Sequence, residues 1–405
     1  MNSLNNNKLK VINDPVHGFV TIPNELIYQI IQHPYFQRLR RISQTGLTEL
    51  VYPGARHSRF HHALGCMHLM QKALNILKRK SVDITIEEEN AALIAILLHD
   101  LGHGPFSHSL EHSIINGLHH EEVSLRLMEE LNQIFENKLS VAIQIFKGEY
   151  HKKFLSQLVS SQLDVDRMDY LKRDSFYTGV VEGNINPERI ISMMNVSQNE
   201  LVIEAKGISS VEKFLMARMF MYMQVYMHKK SFTAENFLIS VLKRAKELVK
   251  GGENLFATSA FNYFLEDNEK GNLSRKGLEI FTRLDDSDVL SSIKEWQFHD
   301  DLILSKLSRS IIERELPKSF LMDKELTDAE LFVEKERVKE FLKIDDASYF
   351  VEQTTIKIIP YDKSKNPIKI LFKSGEVKEI SCSDKSLLTQ FLQQEITKYH
   401  YHSIK

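Results

Sequence analysis

Apolar positions recur along this chain at two periods. Near the N-terminus they alternate. Lys10-Val11-Ile12 and Phe19-Val20-Thr21-Ile22 flank the turn chemistry of Asn13-Asp14-Pro15, which predicts a short hairpin. From Pro23 the period lengthens, and Asn24 stands as a cap before Leu26, Ile27, Ile30 and Ile31, a helix ending near Pro34. Helices are predicted over Arg59–Lys80 and Glu87–Asp100. The second is apolar nearly all round from Ala91 to Leu98, the pattern of a buried central helix. Helical spacing continues through Glu121–Ile134, Lys153–Asp164, Val211–Lys229 and Glu235–Val249, interrupted by a strand at Glu200–Glu204. Beyond Asp323 the texture changes. Thr327-Asp328 caps a charged helix running to Leu342, and Thr355–Ile359 and Ile368–Phe372 read as strands either side of the turn-rich Pro360–Pro367. The expected fold is mainly α: a helical body with a short N-terminal hairpin over residues 1–320, and a smaller C-terminal α+β lobe over residues 321–405, joined somewhere within 310–345.

Composition narrows the class. At 405 residues the chain exceeds what one core usually carries, and 42% hydrophobic with 26% charged residues excludes disordered and fibrous classes. The 52 Lys+Arg against 54 Asp+Glu leave a net charge of -2, which argues against a protein dedicated to coating nucleic acid but permits a local basic pocket for phosphates. Cys66 and Cys382 are the only cysteines, so no disulfide framework is expected and a reducing cytoplasm suits the chain. MNSLNNNKLK lacks the apolar core of a signal peptide, and the longest apolar run is too short for a bilayer. A cytoplasmic protein without membrane attachment is expected.

Histidine marks the chemistry. Ten of 17 histidines fall between His57 and His120. The central helix ends in His99-Asp100-Leu101-Gly102-His103, and both leading residues follow eight apolar ones. A buried carboxylate without a partner is costly, and a metal or a strong hydrogen-bonding group is the usual remedy. An isolated His-Asp pair reads as an ordinary capped helix end. Here it is accompanied by Arg59-Phe60-His61-His62 upstream and Asp164-Val165-Asp166-Arg167-Met168-Asp169-Tyr170 downstream. Imidazole and carboxylate donors together suit Mn, Fe, Zn or Ni. The alternatives are a solvated acidic turn for Asp164, Asp166 and Asp169, and a plain helix N-terminus for His119-His120-Glu121-Glu122.

The ordered set Arg59-x2-His62, His99-Asp100-Leu-Gly-His-Gly-Pro-Phe-Ser-His108, His120-Glu121 and Asp166-x3-Tyr170 resembles the HD-domain deoxynucleoside triphosphate triphosphohydrolases, dGTPase-like enzymes, and in particular the HD domain of the vertebrate branch that also carries a SAM domain. Lys10-Val-Ile-Asn-Asp-Pro-Val-His-Gly18, Phe36-Gln-Arg-Leu-Arg40 and Tyr52-Pro-Gly-Ala55 match as well; the likeness is dense over residues 10–180 and returns at Tyr226-Met-His-Lys229 and around Leu307–Lys318.

That resemblance implies His62, His99, Asp100 and Asp166 as ligands of a divalent transition metal, with Mg accompanying the nucleotide. It implies hydrolysis of a dNTP, dGTP first, to deoxynucleoside and triphosphate. His108 is the candidate general acid, with Glu111 orienting it where the family carries Asp. His103 and His120 would contact phosphate, and Glu121 would hold His120. Arg59 would bind the α-phosphate, Arg218 the distal phosphates, and Arg167 stands where the vertebrate relatives carry Lys. Tyr170 would exclude a 2′-hydroxyl, Gln44 and Asp174 would read the 3′-hydroxyl, and Tyr226 would stack on the base unless it is simply core. A homo-oligomer, dimer or tetramer, is implied, activated by a dNTP bound between subunits at Val11, Asn13, Gln37 and Arg40. Gln32-His33-Pro34 lacks the acidic residue that reads guanine at that site, so the expected activator is not guanine-specific.

Two other readings compete. A phosphomonoesterase or cyclic-nucleotide phosphodiesterase is disfavoured by His103, His108 and the Tyr170/Asp174 sugar contacts. A nucleotide-sensing or nucleic-acid-binding protein that kept the fold would go with loss of a metal ligand, and all four are present.

Overall fold

Every side chain from Ala91 to Leu98 is buried in the computed structural model. The structure describes residues 10–404 apart from 107–108, 111–112, 116, 118, 270–271, 365 and 384–391. The N-terminal hairpin pairs β1 (Lys10–Asp14) with β2 (Gly18–Ile22). Asn24 then caps α1 (Glu25–Gln32), its side chain accepting from Ile27 N. The long α2 (Arg59–Arg79) packs along α3 (Ile86–Leu98), which starts at a capping box of Thr85 and Glu88 and ends at His99. Next come α4 (His120–Ile134) and α5 (Val165–Thr178), the latter also packed on α2.

Two predicted helices break where a polar side chain offers the backbone another partner. The helix expected over Lys153–Asp164 stops at Val159, because Ser160 turns extended and Asp164 instead caps α5, accepting from Arg167 N. The helix expected over Val211–Lys229 runs as α6 (Ile208–Met221), loosens into a π-helical turn over Tyr222–Tyr226, and ends at His228. His228 accepts from Lys230 N and so starts α7 (Lys229–Lys250), longer than the predicted Glu235–Val249. Further on, Asp285 caps α8 (Asp286–Trp296).

The strands combine across long separations. β3 (Met194–Ser197), which the alternation did not reveal, pairs antiparallel with β4 (Glu200–Glu204). β5 (Lys318–Met322) precedes α9 (Asp328–Leu342), which matches its predicted bounds. The two later predicted strands form as β6 (Val351–Ile358) and β7 (Lys369–Leu371), but in different sheets. β7 pairs parallel with β4 and antiparallel with β8 (Val377–Glu379), whereas β6 lies beside β9 (Ile396–Ser403), which also pairs with β5. The expected mainly α fold with small sheets toward the C-terminus is thus observed. No helix among the described residues is long and apolar enough to cross a membrane.

Candidate active site

Three helices bring the predicted ligands together. The first turn of α2 carries Arg59 and His62, the end of α3 carries His99 and Asp100, and the first turn of α5 carries Asp166. His62 Nε2 lies 3.1 Å from Asp166 Oδ1 and 3.7 Å from Asp100 Oδ2. His99 Nε2 lies 3.4 Å from Asp100 Oδ1 and 3.6 Å from Asp166 Oδ1. Each imidazole is backed at its other nitrogen. His99 Nδ1 donates to the Ile96 carbonyl at 2.6 Å, and His62 Nδ1 to Asp169 Oδ2 at 2.8 Å. That backing fixes the tautomer and turns both Nε2 lone pairs toward the two carboxylates. His99 Nε2 is buried and has no hydrogen-bond partner among the described residues, an orphan that a metal would satisfy. The donor set fits a divalent transition ion.

Cys66, one turn beyond His62, also brings its sulfur close, with His62, Cys66, His99 and Asp166 offering ligand atoms within 4.8 Å of one another. Burial pushes the Cys66 thiol well up. Asp100 oxygens lie 3.4 Å from His99 Nε2 and 3.7 Å from His62 Nε2, so Asp100 as well as Cys66 is placed to complete the set. Asp100 Oδ2 accepts from Arg59 at 2.5 Å, and its Oδ1 lies 3.2 Å from His103 Nε2. Burial and the Arg59 charge push the His103 imidazole down to about 3, so it is neutral at physiological pH, and it stacks on His120 at 3.9 Å. Glu121 is exposed on the same first turn of α4. His108 and Glu111 lie outside the described residues.

The loop after Asp100 is held by packing as much as by bonds. Gly102 N donates to Ser124 Oγ, which donates in turn to the His99 carbonyl, both at 2.8 Å. A Cβ on Gly102 would sit 2.2 Å from the His120 carbonyl oxygen and 2.3 Å from Ser124 N, so α4 rests directly on the glycine. Gly102→Ala is therefore expected to destabilise the fold by about 1–3 kcal/mol through overpacking. Denaturant titration checks this, and a midpoint unchanged from the wild type would show that α4 is not seated as described.

A cavity of about 570 Å³ opens beside the ligand set, a volume typical of small-molecule sites. Gln44, Arg59, His103, His120, Arg167, Tyr170, Asp174 and Tyr226 all line it, together with Asp100 and Asp166. Arg59 Nε, Arg167 Nε and Gln44 Oε1 are buried and have no hydrogen-bond partner among the described residues. Arg218 does not line the cavity; its guanidinium lies 5.7 Å from the Tyr222 ring, which does. Asp174 is already engaged, its Oδ1 with His57 Nε2 at 2.7 Å and its Oδ2 with the Tyr226 hydroxyl at 2.6 Å. Tyr226 is thereby fixed, edge-on to Tyr170.

The regulatory candidates occupy the surface. Val11 and Asn13 are exposed on β1, and Arg40 donates to Gln37 Oε1 at 2.8 Å while lying over the Phe60 ring.

Several cavity residues escaped the sequence reading: Ser43 and Thr45–Thr48 on either side of Gln44, and Tyr222, Ser231 and Glu235. Two supports, buried Arg38 and partly buried Asp286, escaped it too. Arg38, inside the Phe36–Arg40 motif, donates to the carbonyls of Leu101 and His103 at 2.8 and 2.9 Å. Asp286 accepts from Ser43 N at 2.7 Å and Phe106 N at 3.2 Å, and burial pushes its carboxyl up to about 7. Clustered arginines were a signal for the first; no local signal marked Asp286.

Comparison with known proteins matches residues 59–174 to the HD domain and residues 185–256 to the HD associated region. The uncharacterized protein YwfO of Bacillus subtilis is 36% identical over 388 residues, which cover 92% of this chain and 87% of that protein. A crystal structure of a phosphohydrolase from Bacteroides thetaiotaomicron superposes with a TM-score of 0.94 at 46% identity, over 98% of this chain and 100% of that one. The deoxynucleoside triphosphate triphosphohydrolase SAMHD1 homolog of Dictyostelium discoideum is 31% identical over 61% of this chain, which spans 51% of that relative's length.

Proposed function

Because the chain belongs to the HD-domain phosphohydrolase family, we propose that it is a deoxynucleoside triphosphate triphosphohydrolase, releasing a deoxynucleoside and intact triphosphate. The carrying observation is that one cavity is lined by Asp100 and Asp166, which sit beside His62 and His99, and by Arg59 and Arg167, whose Nε donors have no hydrogen-bond partner among the described residues. Buried donors without partners are costly, and phosphate oxygens satisfy them with charge-assisted bonds. The similarity to the SAMHD1 homolog supports the same substrate class.

When bound at the four ligands, a divalent metal such as Mn, Fe, Zn or Ni supplies Lewis acidity and an activated water. The chain's residues do the rest. Arg59 binds the α-phosphate while anchored on Asp100, and Arg167 binds further along the polyphosphate, with Mg accompanying the nucleotide. His103, neutral and stacked on His120, offers hydrogen bonds rather than charge. Water attacks the α-phosphorus in line, and the bond to the nucleoside 5′-oxygen breaks. His108 gives that oxygen its proton, with Glu111 orienting the imidazole. Tyr170 packs where a 2′-hydroxyl would sit, Gln44 and Asp174 hold the 3′-hydroxyl, and Tyr226 flanks the base, dGTP being preferred. A dNTP between subunits, at Val11, Asn13, Gln37 and Arg40, activates a homo-oligomer.

Sugar selectivity tests this pocket. The expected order is dNTP far above rNTP, and dNTP well above the 2′,3′-dideoxy analogue, because buried Gln44 Oε1 would be left without the 3′-hydroxyl. Tyr170→Ala opens space at C2′ and is expected to narrow the gap between dGTP and GTP by roughly 10–200-fold, the discrimination of a shape-based contact. Steady-state rates on both nucleotides check it. Equal turnover of GTP and dGTP by the wild type would refute the pocket and return the phosphodiesterase reading to contention.

A further inference from the structure

Asp169, which accepts from His62 Nδ1, is also the hub of a buried ionic chain reaching the N-terminal hairpin. Arg173, one turn along α5, donates to both its oxygens, at 2.8 Å from Nε and 3.0 Å from a terminal nitrogen. The same guanidinium donates to Asp14 Oδ2 at 2.8 Å. Asp14 closes β1 and accepts from the backbone nitrogens of Val16 and His17 at 2.9 and 2.8 Å, so its carboxylate shapes the turn of the hairpin. His17 completes a loop, its Nε2 lying 2.7 Å from Asp169 Oδ1. The side chains of His17, Asp169 and Arg173 are wholly buried.

Space as well as charge is reserved for this chain. A Cβ on Gly65 would sit 1.9 Å from Asp169 Oδ1 and 2.3 Å from the Arg173 guanidinium, so α2 leaves room for the pair three residues after His62. Burying two carboxylates and a guanidinium adds little to stability, since their desolvation offsets much of their attraction. What such a network does supply is geometric definition. Here it defines the ring orientation and tautomer of one metal ligand from a turn that is 45 residues away or more in sequence, on an element whose outer residues are exposed.

We infer that Asp169, Arg173, Asp14 and His17 are positioning residues that couple His62 to the N-terminal hairpin, so that the seating of the hairpin sets the affinity of the centre for its metal. The inference rests on the metal-centre reading and is independent of which nucleotide is cleaved. It also supplies a physical route by which anything bound at the exposed Val11 and Asn13 face of β1 reaches the centre.

The test is Mn²⁺ affinity of the full chain by chelator competition, without nucleotide, alongside circular dichroism and thermal unfolding. His17→Ala removes the outermost donor to Asp169, and Asp14→Asn weakens the hold on Arg173, neither touching a ligand. Both are expected to bind Mn²⁺ roughly 10–100-fold more weakly, the usual effect of outer-shell changes. His17→Gln, whose amide can still donate to Asp169, is expected to recover most of the wild-type affinity. Wild-type affinity in folded His17→Ala or folded Asp14→Asn overturns the coupling, as does a His17→Gln protein as weak as the alanine variant. Should His17→Ala fail to fold, Asp14→Asn decides. Weak Mn²⁺ binding by the wild type itself would instead strike the metal-centre reading.

Discussion

Asp166→Ala is expected to strip the protein of tightly bound metal and of turnover while leaving it folded. Asp166 Oδ1 lies within 3.6 Å of both His62 Nε2 and His99 Nε2, so its loss leaves two buried imidazoles facing each other without the carboxylate between them. The helix that carries it does not depend on it. The cap of α5 is Asp164, which accepts from the backbone nitrogens of Ser161 and Arg167, and those bonds remain. The Asp166 side chain is also a quarter exposed, so alanine creates no sealed cavity. Turnover should fall by at least roughly 10²–10³-fold, the cost of losing one electrostatic stabiliser, and metal content should fall with it. Elemental analysis of the purified variant, with its circular dichroism spectrum, checks both halves. A folded variant that keeps full metal content would remove Asp166 from the ligand set and point to Cys66.

His108→Ala separates proton transfer from binding. If His108 protonates the leaving 5′-oxygen, the variant should keep its metal and bind dNTP, while turnover falls by roughly 10²–10⁴-fold. His103, by contrast, is held neutral and stacked on His120, and Arg59 is bound to Asp100. A variant that loses metal instead would make His108 a ligand, and the proton donor would then be sought at His120.

One part of this centre was legible in the sequence for a physical reason. Ala91–Leu98 is apolar on all sides, so it had to be a buried helix, and the polar pair that follows it had to meet partners in the interior. His62, His99, Asp100 and Asp166 were legible through the resemblance of the ordered motifs to a known family, and the fold brings their side chains together. The supports were not readable. A backbone amide or an ion pair accepts many partners, and the pairing is decided by tertiary packing. His17 meets Asp169 across 152 positions, and Asp286 meets Ser43 across 243. Sheet membership failed in the same way. β6 and β7 each follow local alternation, yet one joins β9 and the other crosses to β4. The π-helical turn at Tyr222–Tyr226 had no periodic signal, although it fixes the tyrosine side of the cavity, and such turns recur at functional sites.

The bond that breaks defines the reaction. Wild-type protein should be incubated with dGTP and Mn²⁺, with a second dNTP present as activator, and the phosphorus products resolved by ³¹P NMR. Attack at the α-phosphorus predicts intact triphosphate and deoxyguanosine in equal amounts, with neither pyrophosphate nor orthophosphate appearing first. Pyrophosphate with dGMP, or orthophosphate with dGDP, as the initial products would contradict the account.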